Sequence, residues 1–411
     1  MSELVDRGVL RLEWARAHMP VLATVREGLV ASKALKGVKI GMALHTEAKT
    51  GVLALTLKEA GAKVRLASCN PLSTDDAVAA ALNEKFGLET FAKKWETTDQ
   101  YYENLNRVLD LEPDLVIDDG ADLVNLLHTK RRDLLKRVRG ANEETTTGVV
   151  RLRAMQKAGK LAFPVVDVND AKMKHLFDNR YGTGQSTMDG IMTATNLLIA
   201  GKTFVVAGYG WCGRGIASRA HGLGANVVVT EIDPVKAIEA TMDGFRVLPM
   251  AEAVKGADFI VTATGMKDVV REEHLRSIKD GCVLANAGHF DNEVSKADLE
   301  RLGKKRRVRE FVDEYALKGG KRVYLLAEGR LVNLAAGQGH PAEIMDMSFS
   351  IQALCAEFLA RKAESLGKRV VPVPEEIDDR VARLKLDSLG VGIDALTADQ
   401  RRYLETWSEG T

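Results

Sequence analysis

The sequence has almost no net charge, no membrane-length apolar run, few cysteines and no internal repeat. Its 58 Lys and Arg nearly balance 57 Asp and Glu, leaving a formal net charge of +1. No bulk field therefore draws the chain to nucleic acid or to a lipid surface. No apolar stretch approaches the ~18 residues that read as a membrane-spanning helix. The cysteines, Cys69, Cys212, Cys282 and Cys355, are widely spaced, which fits a reducing cytoplasm and not a disulfide framework. None of the 8 histidines stands in H-x-x-x-H or beside a cysteine pair, so no catalytic metal is expected. The charged, helix-like N-terminus lacks the pattern of a signal peptide. What remains is 411 residues of ordinary hydrophobic content, long enough for two domains with separate cores.

The most informative stretch runs from Gly201 to Asp233. Thr203–Ala207 reads as a buried parallel strand. Gly208, Gly210 and Gly213 follow in G-x-G-x-x-G spacing, then a helix-compatible segment, 216–222, and a second β-branched run, 226–230. Glu231 closes that run, 231 − 213 = 18 residues past the third glycine. The first glycine permits a tight turn, the second lets a pyrophosphate approach bare backbone, and the third lets helix pack on strand. The helix N-terminus meets the phosphates, and the acid binds the ribose hydroxyls. Strand, glycines, helix, strand and acid in register predict a Rossmann NAD-binding domain. The carboxylate at Glu231 favours NAD over NADP, because a 2′-phosphate would face it.

Elsewhere short strands alternate with helical segments. Residues 1–35 read as helical, ending at Gly37. Strands are expected at 39–43, 63–68, 115–117 and 161–168, with helices at 49–60 and 75–86. Beyond Glu231 come strands at 245–248, 259–262, 282–286 and 322–326. The basic run 303–309, GKKRRVR, reads as a solvated loop, since no aromatics interleave as they do in a nucleic-acid surface. A long helix is expected at 342–366, returning toward the first domain. The fold class is α/β, with two doubly wound parallel-sheet domains and a C-terminal helical return. The expected boundaries are 1–182 for a substrate domain completed by 340–385, 183–339 for the NAD domain and 386–411 for a tail. His45, Asn70, Asp119 and Asn169 stand just past strand ends, where open α/β sheets bind ligands.

Several separate motifs resemble the S-adenosyl-L-homocysteine hydrolase family. They are DDGADL (118–123), EETTTG (143–148), FDNRYG (177–182), GHFD (288–291), LAEGRLVNL (326–334) and GHP (339–341). The resemblance covers nearly the whole chain and is nearest to archaeal and thermophile-type members. It implies reversible hydrolysis of S-adenosyl-L-homocysteine to adenosine and L-homocysteine, with tightly held NAD. It also implies a cytoplasmic homotetramer serving one-carbon metabolism through the methylation cycle. The chemistry explains a dehydrogenase fingerprint in a hydrolase. Oxidation of the 3′-hydroxyl acidifies the C4′ proton, elimination of the thiol becomes feasible, water adds, and the ketone is reduced back, so NAD is regenerated.

The resemblance also implies site residues. Lys174 and Asp178 match the pair at the ribose hydroxyls, with Lys174 assisting 3′-proton removal, helped by a lowered pKa. Asp119 matches the base at C4′, although the motif alone does not separate it from Asp118. His45 matches the group at the 5′ sulfur or water, and His289 and His340 match active-site histidines. Glu144 matches a ribose ligand, while Glu47 and Lys49 lie where the base binds. Thr145, Thr146, Thr147, Asn179, Asn286, Asn333 and His340 are expected at the cofactor. Lys236 stands where an asparagine usually touches the NAD ribose, Gln338 where methionine is common, and the tail lacks the usual basic, tyrosine-bearing end. Lys49 replaces an acid or amide and can only donate hydrogen bonds, which opens S-inosyl-L-homocysteine and inosine as alternative ligands. The rival readings are a net NAD-dependent dehydrogenase, which would release reduced cofactor, and a non-catalytic relative, which would have lost one of these polar groups.

Overall fold

In a computed structural model, residues 2–408 are described. The N-terminal segment forms two helices, Glu3–Ala17 and Pro20–Ser32, where one helical stretch was expected. Pro20 opens the second at a position where proline's missing N–H costs nothing. The Asp346 carboxylate, from the far end of the chain, accepts from the first two free amides, Leu22 N at 2.9 Å and Val21 N at 3.3 Å.

Strands β1 (Lys39–Ala43), β2 (Lys63–Ala67), β3 (Glu89–Phe91), β4 (Leu115–Asp118), β5 (Gly140–Glu143) and β6 (Val165–Asp167) build the first sheet. Then come β7 (Thr203–Ala207), β8 (Asn226–Thr230), β9 (Arg246–Val247), β10 (Phe259–Thr262), β11 (Cys282–Asn286), β12 (Gly303–Arg309), β13 (Val312–Leu317) and β14 (Arg322–Leu326) in the second. A last strand, β15 (Val370–Pro372), returns to the first. The first sheet is parallel in the order β15-β6-β5-β4-β1-β2-β3; the second has the order β12-β13-β14-β11-β10-β7-β8-β9. Strand order reverses between β1 and β4 in one sheet and between β7 and β10 in the other. Crevices therefore open at the carboxyl ends of those strands.

The second sheet is mixed, since β13 runs antiparallel to both β12 and β14. The basic run 303–309 is thus an edge strand, not a loop. Its cations pair across the hairpin, Arg306 with Glu314 at 2.8 Å and Lys305 with Asp313 at 3.1 Å. An edge strand carrying Lys and Arg resists pairing with another chain. The strands expected at 161–168 and 245–248 are shorter, Val165–Asp167 and Arg246–Val247. The glycine-turn helix starts earlier, at Trp211.

The helix Ala342–Leu366 has the bounds expected, and its apolar residues join the core cluster of the first sheet with those of β1 and β2. Separate clusters, including Phe204, Val206 and Ile216 on one face and Val205, Ile260 and Leu284 on the other, sandwich the second sheet. The chain crosses between sheets through a π-helix, His175–Gly182, continuous with the helix Thr183–Thr195. Further bridges come from Lys94, whose Nζ donates to Ala335 O at 3.1 Å, and Trp95, stacked on Phe311 at 5.7 Å. The terminal helix Ala398–Glu405 buries none of its residues. Of the expected tail, residues 409–411 lie outside the described residues. No helix among the described residues is long and apolar enough to cross a membrane.

Candidate active site

At the end of β7, Gly208 turns with φ +93°, a region glycine enters without penalty. A Cβ on Gly213 would collide with the Gly208 carbonyl oxygen, whereas one on Gly210 would meet nothing within 4 Å. The helix therefore sits directly on the turn, and bare backbone at Gly210 faces open space. Glu231 accepts from Tyr209 N at 2.7 Å and from Asp233 N at 3.0 Å, fixing its carboxylate across the turn. A cleft of about 1480 Å³ runs along this edge. Gly208, Gly210, Glu231 and Lys236 line one wall, while Thr145, Thr146, Thr147 and Asn179 line it from the first sheet's side.

A smaller cavity of about 130 Å³ adjoins it, and the two share Thr145, Thr146, Asn179, Cys212 and His289. Its wall carries a buried charge cluster. Lys174 Nζ lies 3.4 Å from both Asp178 and Glu144 and donates to Asn179 Oδ1 at 2.8 Å. The π-helix places Asp178 and Asn179, four and five residues on, on the lysine's side. Asp178 also meets His340 Nδ1 at 3.0 Å and accepts from Ser348 Oγ at 2.8 Å. Burial opposes the Asp178 charge, yet Lys174, His340 and Ser348 hold its pKa well below the usual carboxylate range. Burial pushes Glu144 up to about 7 against the pull of Lys174. Gln352 Nε2 donates to Glu144 at 2.5 Å.

The expected lowering of the Lys174 pKa is corrected here. Burial works in that direction, but Asp178, Glu144 and Asp119 outweigh it and raise the value above that of an ordinary lysine. Lys174 is an ammonium ion.

His45, past β1, and Asp119, past β4, meet at the switch point of the first sheet. His45 Nε2 is 3.4 Å and His289 Nδ1 3.6 Å from the Asp119 carboxylate. Burial, partly offset by Asp119, lowers His45 to about 4, so its ring is neutral at pH 7. Asp118 is spent within its own loop, accepting from Asp119 N and Val124 N. That separates the two acids the motif left unordered: Asp119 faces the cavity.

Glu47 caps the helix Ala48–Glu59, accepting from Thr50 N at 3.1 Å, and pairs with Lys49 Nζ at 2.5 Å. Lys49 also donates to Gln338 O at 2.9 Å, and both Glu47 and Lys49 line the cavity. Asn333 lines it too and donates to Ser186 Oγ at 3.2 Å, leaving its buried Oδ1 without a partner. Asn286, expected at the cofactor, is held within the protein itself. It is fully buried, donates to Gly288 O, Phe290 O and Gly329 O, and accepts from Gly288 N and Thr262 Oγ1. It shapes the loop that carries His289.

Sequence reasoning missed Ser348 and Gln352, four residues apart on the long helix, and Ser73, which holds His45 Nδ1 at 2.7 Å. It also missed Cys69 and Cys212. The signal for Ser348 and Gln352 was polar residues on the buried face of an apolar helix. The cleft fits a dinucleotide, with bare backbone at Gly210 and a fixed carboxylate at Glu231, and the orphan acceptor of Asn333 in the adjoining cavity suits a carboxamide N–H.

Residues 2–134 match the family described as S-adenosyl-L-homocysteine hydrolase, and residues 179–339 match its NAD binding domain. The chain is 61% identical over 406 residues to the adenosylhomocysteinase of Thermoplasma volcanium, covering 98% of this chain and 99% of the relative. It is 59% identical over 409 residues to the S-inosyl-L-homocysteine hydrolase of Methanocaldococcus jannaschii, covering 99% and 98%. Among solved structures, a dipicolinate synthase polypeptide from Bacillus halodurans shares the fold, with a TM-score of 0.51 at 13% identity over 80% of this chain and 99% of that one.

Proposed function

The chain belongs to the S-adenosyl-L-homocysteine hydrolase family, and we propose that it cleaves S-adenosyl-L-homocysteine reversibly into adenosine and L-homocysteine at the junction of the two cavities. The observation that carries this is the sharing of Asn179, Thr145 and His289 between a dinucleotide-sized cleft and a pocket bearing the Lys174–Asp178–Glu144 cluster. A nucleoside ribose bound in that pocket would adjoin the cofactor cleft. Gly208, Gly210, Glu231, Thr145–Thr147 and Asn333 would hold NAD, which supplies a reversible hydride exchange with the 3′ carbon.

The protein's own groups move the protons. Asp178, held ionised, orients the ribose hydroxyls. Lys174 takes the 3′-hydroxyl proton as it passes one of its own to Glu144, which lies 3.4 Å away and titrates near 7. Asp119 removes the C4′ proton once C3′ is a ketone. His45, neutral with a free ring nitrogen 3.4 Å from Asp119, relays the proton taken from C4′ to the departing thiol and takes one from the incoming water, and His289 supports Asp119 from the other side. His340 ties Asp178 to the segment that closes over the site. Burial excludes water from the reactive enone until addition.

The first sheet with its C-terminal return serves as the substrate unit and the second as the NAD unit. We assign a homotetramer in the cytoplasm, acting in the methylation cycle of one-carbon metabolism. Exposed Leu10, Trp14, Leu197 and Leu198 supply apolar surface for assembly. A second reading, S-inosyl-L-homocysteine as substrate, rests on Lys49, a donor that lines the cavity; its Nζ is held by Glu47 and Gln338 O, and the base would have to compete with those acceptors. The test is incubation with each thioether and assay of free thiol and nucleoside. Thiol release without net change in nicotinamide supports the hydrolase, and net cofactor reduction contradicts it.

A further inference from the structure

The loop that presents Asp119 is held by two buried carboxyl groups. Asp118 ends β4 and Glu143 ends β5, and the two are register partners across parallel strands, so their side chains project on the same face. Both residues are fully buried. Asp118 Oδ1 accepts from Asp119 N at 3.1 Å. Glu143 Oε1 accepts from Gly120 N at 2.8 Å and from Thr145 N at 3.0 Å. The peptide groups on both sides of the Asp119 side chain are thus anchored. The backbone needs that anchorage: Gly120 has φ +101° and Ala121 φ +62°, and a residue with a Cβ stays in the left-handed region only where its surroundings hold it. Gly148 makes room for the Glu143 carboxyl, since a Cβ there would collide with it.

Glu143 has nothing to balance a charge. Its Oε2 is buried without a partner. Asp167, its register neighbour on β6, is paired with Arg153, and Arg151 is spent on Gly120 O and Asp122. Cys69, also buried, remains a thiol. Burial, with Asp118 and Asp119 alongside, raises the Glu143 pKa well above the usual carboxylate range. A carboxyl group so placed stays neutral and still accepts hydrogen bonds through its carbonyl oxygen.

We propose that Glu143 is a positioning residue for the elimination step, an uncharged acid whose carbonyl oxygen ties the Asp119 loop to the cofactor-lining Thr145. It lines neither cavity and acts through those two neighbours. The consequence for elimination rests on the proposed function; the uncharged state does not. Neighbouring acids then have opposite duties: Glu144 must ionise and Glu143 must not.

The test compares Glu143→Gln and Glu143→Leu, saturated with NAD, by rapid mixing with S-adenosyl-L-homocysteine. Glu143→Gln keeps an uncharged carbonyl acceptor and should keep both nicotinamide reduction and thiol release. Glu143→Leu frees the Gly120 amide and should slow thiol release by about 10²-fold, the cost of a misplaced catalytic group, while nicotinamide reduction persists. Thiol release as slow in Glu143→Gln as in Glu143→Leu overturns the uncharged acid. Wild-type thiol release in Glu143→Leu, or both steps falling together, overturns the positioning of Asp119. Should Glu143→Leu not fold, Glu143→Asp, whose shorter acid withdraws the acceptor, takes its place with the same outcomes. Infrared difference spectra at about pH 9 read the charge directly, because Asp118 and Glu144, both raised to about 7, are ionised there. They should show a protonated carboxyl band that Glu143→Gln removes, and a spectrum unchanged by Glu143→Gln overturns the uncharged acid. Wild-type protein that releases no thiol contradicts the proposed function and with it the elimination role, and the infrared band then decides the state of Glu143 by itself.

Discussion

Glu144 carries the pH dependence of the redox step. Its pKa is raised to about 7 by burial, and it must be ionised to receive a proton through Lys174. The rate of nicotinamide reduction in a single turnover should therefore rise as pH increases through about 7 and fall as Glu144 becomes protonated below it. Glu144→Gln should remove that limb and lower the rate by about 10²–10⁴-fold, the usual contribution of a positioned acid or base. Lys174→Ala and Asp178→Ala should suppress nicotinamide reduction itself. His45→Ala and Asp119→Asn should permit it and stall thiol release. Equal loss in all four variants, followed by rapid-mixing absorbance, would contradict this division. Lys49 sets the nucleobase: Lys49→Glu should shift kcat/KM toward the adenosyl over the inosyl thioether, and an unchanged ratio would remove Lys49 from base selection.

At the scale of elements, the long helix and the π-helix tune the same cluster. Gln352 lowers the Glu144 pKa through its hydrogen bond. Gln352→Leu should move the rising limb of the pH profile to higher pH, a shift that a merely structural role would not produce. A Cβ on Gly215 would collide with the Arg180 carbonyl in the π-helix. Gly215→Ala should destabilise by about 1–3 kcal/mol, as overpacking does, and lower NAD retention, both measurable by melting with and without added NAD. The glycine turn, Glu231 and the polar residues at strand ends were legible in sequence because they obey local rules of turn and register. The π-helix was not, since a switch to i→i+5 hydrogen bonding leaves no clear mark in eight residues. Nor was the β12–β13 hairpin, whose lysines and arginines read as solvated until their partners Asp313 and Glu314 stood opposite. The five hydrogen bonds of Asn286 were not legible either, because they depend in part on loops more than forty residues away, such as that of Gly329. The Lys174 pKa reversed for a similar reason: two carboxylates from different segments converge on it.

For the whole molecule, the account requires that the two sheets close on the substrate. The connections run through 175–182 and 335–341, and contacts such as Lys49 to Gln338 O and His340 to Asp178 span the junction. Small-angle scattering should show contraction when adenosine is added to the NAD-loaded protein, and an unchanged profile would count against closure. The central claim is that a thioether is cleaved through a transient oxidation in which NAD is regenerated. The direct measurement is to mix the purified protein, without added cofactor, with S-adenosyl-L-homocysteine and follow nicotinamide absorbance and free thiol together. The account predicts a transient rise in reduced nicotinamide, followed by many equivalents of homocysteine per bound NAD with no net reduction. Thiol release with no nicotinamide present, or one equivalent of reduced cofactor formed for each substrate consumed, would contradict it.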